Sequence, residues 1–408
     1  MTKIKPFPNP EVPDFDESKI MVSPWIKFPN LPFGSLGWRM GDGEYFMDRY
    51  AAWYQSQNTQ VRRITREKYP EPADWKGFYF RLRWALTYQR SYRASVMGAL
   101  TGDALGVPFE FKRPEDIPAS NEINLIMPAS FMKTHSSIPY GTWSDDGALM
   151  LCLLEVLQED ERFEPVHFAT LLVKWVRDAY HQSGGKVFDC GGQTALAIRS
   201  LEEGVAPLEA GGRGERSNGN GSLSRTLPVA IIGHLDGWSL QAIIELAHSQ
   251  SRVTHAHPIS QVCCALYCLM ATSLFNNPEE AIMNCYHRAF AELKGMYSRS
   301  ELLEHGRALS IIDDFPKNNF RRGSGYVIDT LWTSIDCLDK SDSYVSAVKT
   351  AIGYGNDTDT TACVTGGLAG IKYGLDDRAY SDRPVGIPSD WASSLVMPQE
   401  SIGVLGCL

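Results

Sequence analysis

Residues Gly355 to Gly374 read GNDTDTTACVTGGLAGIKYG. From Thr360 to Tyr373 the apolar side chains recur at helical spacing, and the acidic group Asp357-Thr358-Asp359-Thr360 stands immediately before them. The same arrangement occurs far upstream, where Ser144-Asp145-Asp146 precedes the run Asp146 to Gln158. Working outward, Pro165 to His181, Gly192 to Glu203, Ser239 to His248, Pro258 to Phe275, Glu279 to Leu293 and Val327 to Leu338 carry the same period. No alternating run of strand length with hairpin turn signals interrupts them. The sequence therefore predicts an all-α core from Ala94 onward. Loops rich in Gly, Ser, Asn and Arg punctuate it, above all Gly204 to Ser224, which is long for a simple connection.

The two acidic clusters offer hydroxyl and carboxylate oxygens with no Cys or His interleaved, a donor set for hard cations such as magnesium or manganese rather than zinc. If the clusters meet in space, their carboxylates repel one another, and a divalent cation offsets that cost. The competing reading is that each Asp caps a helix by accepting backbone N–H bonds. A third acidic element, Gly102-Asp103-Ala104-Leu105-Gly106-Val107-Pro108-Phe109-Glu110, ends its helix at Pro108 and projects Glu110 from a loop. Taken alone, Glu110 reads as a solvated surface carboxylate. A fourth element, Ser217-Asn218-Gly219-Asn220-Gly221-Ser222-Leu223-Ser224-Arg225, leads into the helical run Thr226 to Gly233. Its glycines allow close backbone approach to a ligand, and N–H groups at a helix start favour phosphate. A flexible surface loop would read much the same.

The chain has 408 residues with a formal charge of -9, which gives no general attraction for nucleic acid or an anionic membrane. The opening residues lack the apolar core and cleavage site of a secretory signal, so a cytoplasmic location is expected. The apolar run Val262 to Phe275 is too short to cross a bilayer and reads as a core helix. Nine scattered cysteines, three of them at Cys263, Cys264 and Cys268, do not pair in zinc spacing and read as buried free thiols.

Residues 1 to 92 stand apart. Five of the ten tryptophans lie there (Trp25, Trp38, Trp53, Trp75 and Trp84), and residues 1 to 90 carry fourteen Lys/Arg against ten Asp/Glu, net +4. The remainder is therefore at -13. Seven prolines between Pro6 and Pro32 argue for an extended arm, Asp42 to Gln57 for an amphipathic helix, and a second helix is expected near Asp74. Aromatics and Arg at this density suit an interface anchor, or equally an extra layer folded back on the core.

Together the chemical elements resemble the ADP-ribosylglycohydrolase family. The likeness runs in order through GALTGDALGVPFE from Gly98, GTWSDDGALM from Gly141, DCGGQT from Asp189, NGNGSLSR from Asn218, THAHP from Thr254, the quoted stretch from Gly355, and GIPSDW from Gly386. Seven ordered matches between Ala94 and Trp391 are specific where any one would be weak. The resemblance implies a compact helical hydrolase domain, residues 93 to 408, behind an N-terminal extension of residues 1 to 92. It implies two Mg2+ ions, or Mn2+, held by Ser144, Asp145, Asp146, Asp357, Asp359 and Thr360. Glu110 matches a mobile acidic residue near the metals, and Asp189 one facing the ribose. Gly219, Asn220, Gly221 and Ser222 would line phosphates, with His255 near the substrate or serving structure alone. The implied reaction hydrolyses the bond between C1 of the distal ribose and a protein side chain, most simply ADP-ribosyl-arginine. Asp357 helps set the metals, and Glu110 or Asp189 handles the proton. Some relatives of this family are immunity proteins, so the extension could alternatively bind and block an ADP-ribosyltransferase toxin. Two departures stand out: Gly147 replaces a usual Thr, and Asn356 a usual Gly.

Overall fold

In the computed structural model, the described residues are 9, 12–38, 41–57, 59–76, 78–82, 86–159, 163–298, 303–318, 320–375 and 385–406. Among them no β-strand forms, and extended pairing is limited to isolated bridges. The all-α expectation holds. The chain divides into two compact units, Met1–Ala85 with Gly403–Leu408, and Leu86–Ile402.

The second unit is built on an antiparallel pair, Leu86–Gly106 and Thr358–Tyr373. Its contact is a stripe of small residues. A Cβ placed on Gly98, Gly102 or Gly370 would stand 2.3 Å from the Gly366 carbonyl oxygen, 2.2 Å from that of Ala362 and 2.2 Å from that of Ala94, respectively. No side chain fits between these backbones, so the helices touch directly. Tyr344 donates to the Gly98 carbonyl at 2.7 Å and Tyr267 to that of Val364 at 3.0 Å, tying Tyr344–Gly353 and Pro258–Asn276 onto the pair. The consequence is positional. The end of the first helix, with Glu110 just beyond it, meets the start of the second, with Asp357 and Asp359.

The quoted periods recover most helices, with observed bounds Asp145–Glu159, Pro165–Asp178, Gly192–Glu202, Leu240–Arg252, Ile282–Tyr297 and Val327–Asp339. Leu303–Asn318 and Tyr344–Gly353 were not anticipated. The former carries an internal Pro316 near its C-terminal end, a residue that disfavours a helix interior. The helix containing Val262 to Phe275 corrects the length argument: it runs Pro258–Asn276 and is long and apolar enough to cross a membrane by composition. Its apolar window is 94% buried inside the protein, which makes it a core helix. The described cysteines are free thiols, all buried except half-buried Cys190.

The first unit holds helices Asp42–Ser56, Thr59–Lys68 and Phe78–Leu82 and short turns at Pro24–Lys27 and Ala73–Trp75. The expected extended arm is in part a folded segment, because its aromatics pack on one another. Phe28, Phe46, Tyr50, Tyr54, Trp75, Phe78 and Tyr79 form a buried cluster, and the Ser23 hydroxyl bridges the Tyr50 and Tyr79 hydroxyls at 3.0 and 2.6 Å. The helix expected near Asp74 is a single 3-10 turn, with Phe78–Leu82 after it. Pro6, Pro8, Pro10 and Trp84 lie outside the described residues.

Candidate active site

Asp103 organises the first acidic cluster from below. Its Oδ1 accepts the Ser144 N–H and its Oδ2 the Gly147 N–H, both at 2.8 Å, so a neighbouring helix caps Asp145–Glu159. The Ser144 hydroxyl accepts the Asp146 N–H at 3.3 Å. Asp145 and Asp146 are thereby free of capping duty. In the second cluster Asp357 stands at the N-cap of its helix, yet its side chain makes no capping bond; its Oδ2 accepts the Asn220 amide at 2.7 Å. Neither cluster follows the helix-capping alternative.

The two clusters meet in one cleft of about 850 Å³, within the range of small-molecule sites. Glu110, Asp145, Asp146, Asp189, Asp357 and Thr360 line it together with Gly219, Asn220, Gly221 and His255. Asp359 sits below, fully buried, with one oxygen within 4.8 Å of carboxylate oxygens of Glu110 and Asp189. Ser144 is buried beneath the wall. Ser222 is turned away: its hydroxyl meets Ser251 Oγ at 2.9 Å and Cys264 Sγ at 3.5 Å inside the core, and it does not line the cleft.

Glu110 corrects the surface reading, being 4% exposed. Its Oε2 meets His135 Nε2 at 2.5 Å, and Thr134 Oγ1 donates to its carbonyl at 2.5 Å. The His135 ring in turn stands edge-on to Phe188 at 5.0 Å, next to Asp189. Burial pushes the Glu110 carboxyl up to about 7, with Asp189 and Asp357 adding repulsion against the favourable His135 contact. Burial raises Asp145, Asp146 and Asp359 well above the ordinary carboxylate range and Asp189 above it, each with neighbouring carboxylates adding to the effect.

These charges lack enough partners. Ser224 donates to Asp146 Oδ1 at 2.5 Å, but Asp146 Oδ2 and both oxygens of Asp359 are buried with none. Buried polar atoms in native proteins are satisfied, so the orphan oxygens of Asp146 and of Asp359, the latter within 4.8 Å of the Glu110 and Asp189 carboxylates, fit bound cations. The oxygen-only donor set fits a hard divalent ion. Asp103, Asp146 and Cys363 also come within 4.8 Å of one another, but both Asp103 oxygens are spent on the helix start.

Sequence reasoning missed His135, Ser224, Arg322 and Ser324, the last two lining the cleft. His135 lies in a loop without periodicity, and Ser224 stands in a glycine-rich string whose pattern does not single it out. The departures have physical causes. A Cβ on Gly147 would lie 2.8 Å from Leu100 Cδ2 and from the Trp143 ring, so the helix start is packed too tightly for a side chain. Asn356 takes φ +59°, a left-handed conformation that Asn tolerates, and donates to the Arg322 carbonyl at 2.7 Å.

Residues 85–405 match the profile of the ADP-ribosylglycohydrolase family. Over 315 residues the chain is 29% identical to an ADP-ribosylarginine hydrolase, Tri1, of Serratia proteamaculans, covering 77% of each chain. Over 323 residues it is 27% identical to the ADP-ribosyl-[dinitrogen reductase] glycohydrolase of Rhodospirillum rubrum, covering 75% of this chain and 90% of that one. A solved structure described as an ADP-ribosylglycohydrolase-related protein complex superposes with TM-score 0.58 over 78% of this chain and 97% of its own, at 22% identity, a likeness of fold.

Proposed function

The chain belongs to the ADP-ribosylglycohydrolase family, and from that premise we propose that it is a metal-dependent hydrolase releasing ADP-ribose from modified arginine side chains of a protein. The observation that supports the metal dependence is that Asp146 and Asp359 are buried carboxylates with unpartnered oxygens, Asp359 within 4.8 Å of the Glu110 and Asp189 carboxylates. Support for arginine comes from the relatives named as ADP-ribosylarginine hydrolases.

Asp145, Asp146, Asp357, Asp359, Thr360 and Ser144 would hold two Mg2+ ions, with Mn2+ as a substitute. When bound, such ions polarise ribose oxygens and lower the cost of gathering negative charge. Asn220 orients Asp357 through the 2.7 Å bond, and Ser224 orients Asp146. Gly219, Gly221 and His255 supply a wall against which an ADP-ribose diphosphate lies, fixing the sugar for attack by water. Glu110 is the proton handler: burial gives its carboxyl the affinity for a proton near neutral pH that a general base needs, and His135 holds it in place. Asp189 faces the same space as an electrostatic partner.

The deciding experiment offers purified protein ADP-ribosyl-arginine and ADP-ribosyl-serine substrates with Mg2+, then with chelator. Release from arginine that chelator abolishes supports the reading; full release in chelator overturns the metal dependence, and exclusive release from serine overturns the acceptor.

A second reading concerns the first unit. Its separate aromatic core lies almost wholly before the family match, which starts at residue 85. We assign it to binding an ADP-ribosyltransferase toxin, in addition to hydrolysis. Because Ser23 and Phe28 belong to that core, trimming within it would unfold it, so the test removes residues 1–85 whole. Retained hydrolysis with lost toxin binding is expected; equal toxin binding without the unit overturns the assignment.

A further inference from the structure

We propose that Arg225 and Thr254 form a buried relay that fixes His255 in its Nε2–H tautomer, making the imidazole a hydrogen-bond donor to an anionic diphosphate oxygen in the cleft. The diphosphate acceptor rests on the ADP-ribose reading above; the relay stands on geometry alone.

Arg225 ends the glycine-rich loop and is fully buried. Its guanidinium can only donate. Nε donates to Gln250 Oε1 at 3.0 Å, Nη2 to the Gln250 carbonyl at 2.9 Å and to Thr254 Oγ1 at 2.8 Å, and Nη1 to the Gly221 carbonyl at 3.4 Å. None of these acceptors is a carboxylate, so the charge is spent on holding two pieces of cleft wall, the Gly221 turn and Thr254.

Thr254 then has one direction left. Its oxygen accepts the arginine N–H through a lone pair, and its single proton points to His255 Nδ1, 2.7 Å away. In the reverse arrangement Nδ1–H would donate to Thr254, whose own proton would need another acceptor, and no other contact of that hydroxyl exists among the described residues. Nδ1 therefore accepts, and in a neutral ring the proton resides on Nε2. Burial, aided by the Arg225 charge, lowers the imidazole to about 3 and keeps it neutral. Ser251 fixes the backbone as well, accepting the His255 N–H at 2.7 Å and donating to its carbonyl at 2.8 Å.

Nε2 itself has no hydrogen-bond partner among the described residues. It stands at the cleft wall between two glycines: a Cβ on Gly219 would lie 3.3 Å from Nε2, and one on Gly221 3.4 Å from Cε1. The bare backbones leave that N–H open to the cleft. Arg225 and Thr254 are positioning residues, and His255 is the group that meets the ligand.

The test is 15N imidazole NMR on the full chain, with the His255 signal assigned by His255→Gln, together with calorimetry using ADP-ribose. Wild type and Thr254→Ser should show the Nε2–H pattern, and ADP-ribose should shift the Nε2 resonance. Thr254→Val should lose the single-tautomer pattern and weaken ADP-ribose binding about tenfold at unchanged helical content. An Nδ1–H pattern in wild type overturns the relay without any variant needing to fold, as does a Thr254→Val protein with unchanged tautomer and affinity. A wild type that shows Nε2–H yet does not bind ADP-ribose overturns the ligand reading while the relay stands.

Discussion

A Cβ on Gly106 would lie 2.4 Å from the Cα of Asp359, closer than any side chain tolerates. Absence of a side chain at one position thus sets how closely the end of one helix approaches the carboxylates that begin another. The candidate active site is a by-product of helix packing, and it should fail with that packing. Gly102→Ala puts its Cβ 2.2 Å from the Ala362 carbonyl oxygen, a backbone atom that cannot swing aside. We expect a loss of about 1–3 kcal/mol in denaturant unfolding together with lost activity. Gly295→Ala, in an exposed helical position with nothing within 4 Å, is the control and should stabilise by about 0.5–1 kcal/mol. Equal stability changes in the two variants would refute the packing argument.

Without cations, stability should depend on pH in the direction opposite to ordinary salt-bridged carboxylates. Burial raises Glu110 to about 7 and pushes Asp145, Asp146 and Asp359 up as well. Between the unfolded carboxylate range near 4 and these raised values the folded state binds more protons, so its stability falls as pH rises. In chelator the thermal midpoint should drop steadily from about pH 5 to 8, and Mg2+ should remove most of the slope. A midpoint that climbs with pH in chelator would contradict the electrostatic description of the cleft.

Asp359→Asn should separate function from stability. The native carboxylate is buried with both oxygens unpartnered and repelled by Glu110, Asp357, Asp189 and Asp146. Neutralising it removes charge that the apo-protein tolerates at a cost. Hydrolysis with Mg2+ should fall by about a thousandfold or more, since metal-set charge is worth several kcal/mol in such reactions. The thermal midpoint in chelator at pH 8 should rise above wild type. A variant that is both active and less stable would show that Asp359 is structural.

What could be read in the sequence divides along physical lines. The helices with clean periods were legible, and so were the acidic clusters, because helix starts bearing Asp and Thr are local signals. Ser222 was placed on the cleft wall by its position in a glycine-rich string, yet the turn at Gly221 sends its hydroxyl toward Ser251 and Cys264. One residue of rotation decided that, and no local pattern encodes it. Glu110 read as a surface group because nothing near it in sequence announces His135, which arrives from a loop 25 residues on to cover it. The first unit looked like an arm because proline argues against helix and strand, whereas its tyrosines and tryptophans needed only each other to form a core.

The last prediction concerns Gly147, the position at which the family resemblance read from the sequence implies threonine. Restoring the hydroxyl looks like a repair of the proposed metal site, but the geometry argues otherwise. The site for a Cβ is filled by Leu100 and by the Trp143 ring at 2.8 Å, and the Gly147 N–H is held by Asp103 at 2.8 Å. Trp143 is fully buried and donates to the His181 carbonyl at 3.0 Å, so its ring cannot give way freely. Gly147→Thr must therefore push the helix start off Asp103 and carry Asp145 and Asp146 with it. We expect destabilisation of about 1–3 kcal/mol, a weaker Mg2+ dependence and lower hydrolysis. Gly147→Thr combined with Trp143→Phe, which makes room for the new side chain, should recover part of the activity. If the single variant instead matched or exceeded wild type in Mg2+ titrations of hydrolysis, the helix start would be mobile and the packing account of this departure would fall.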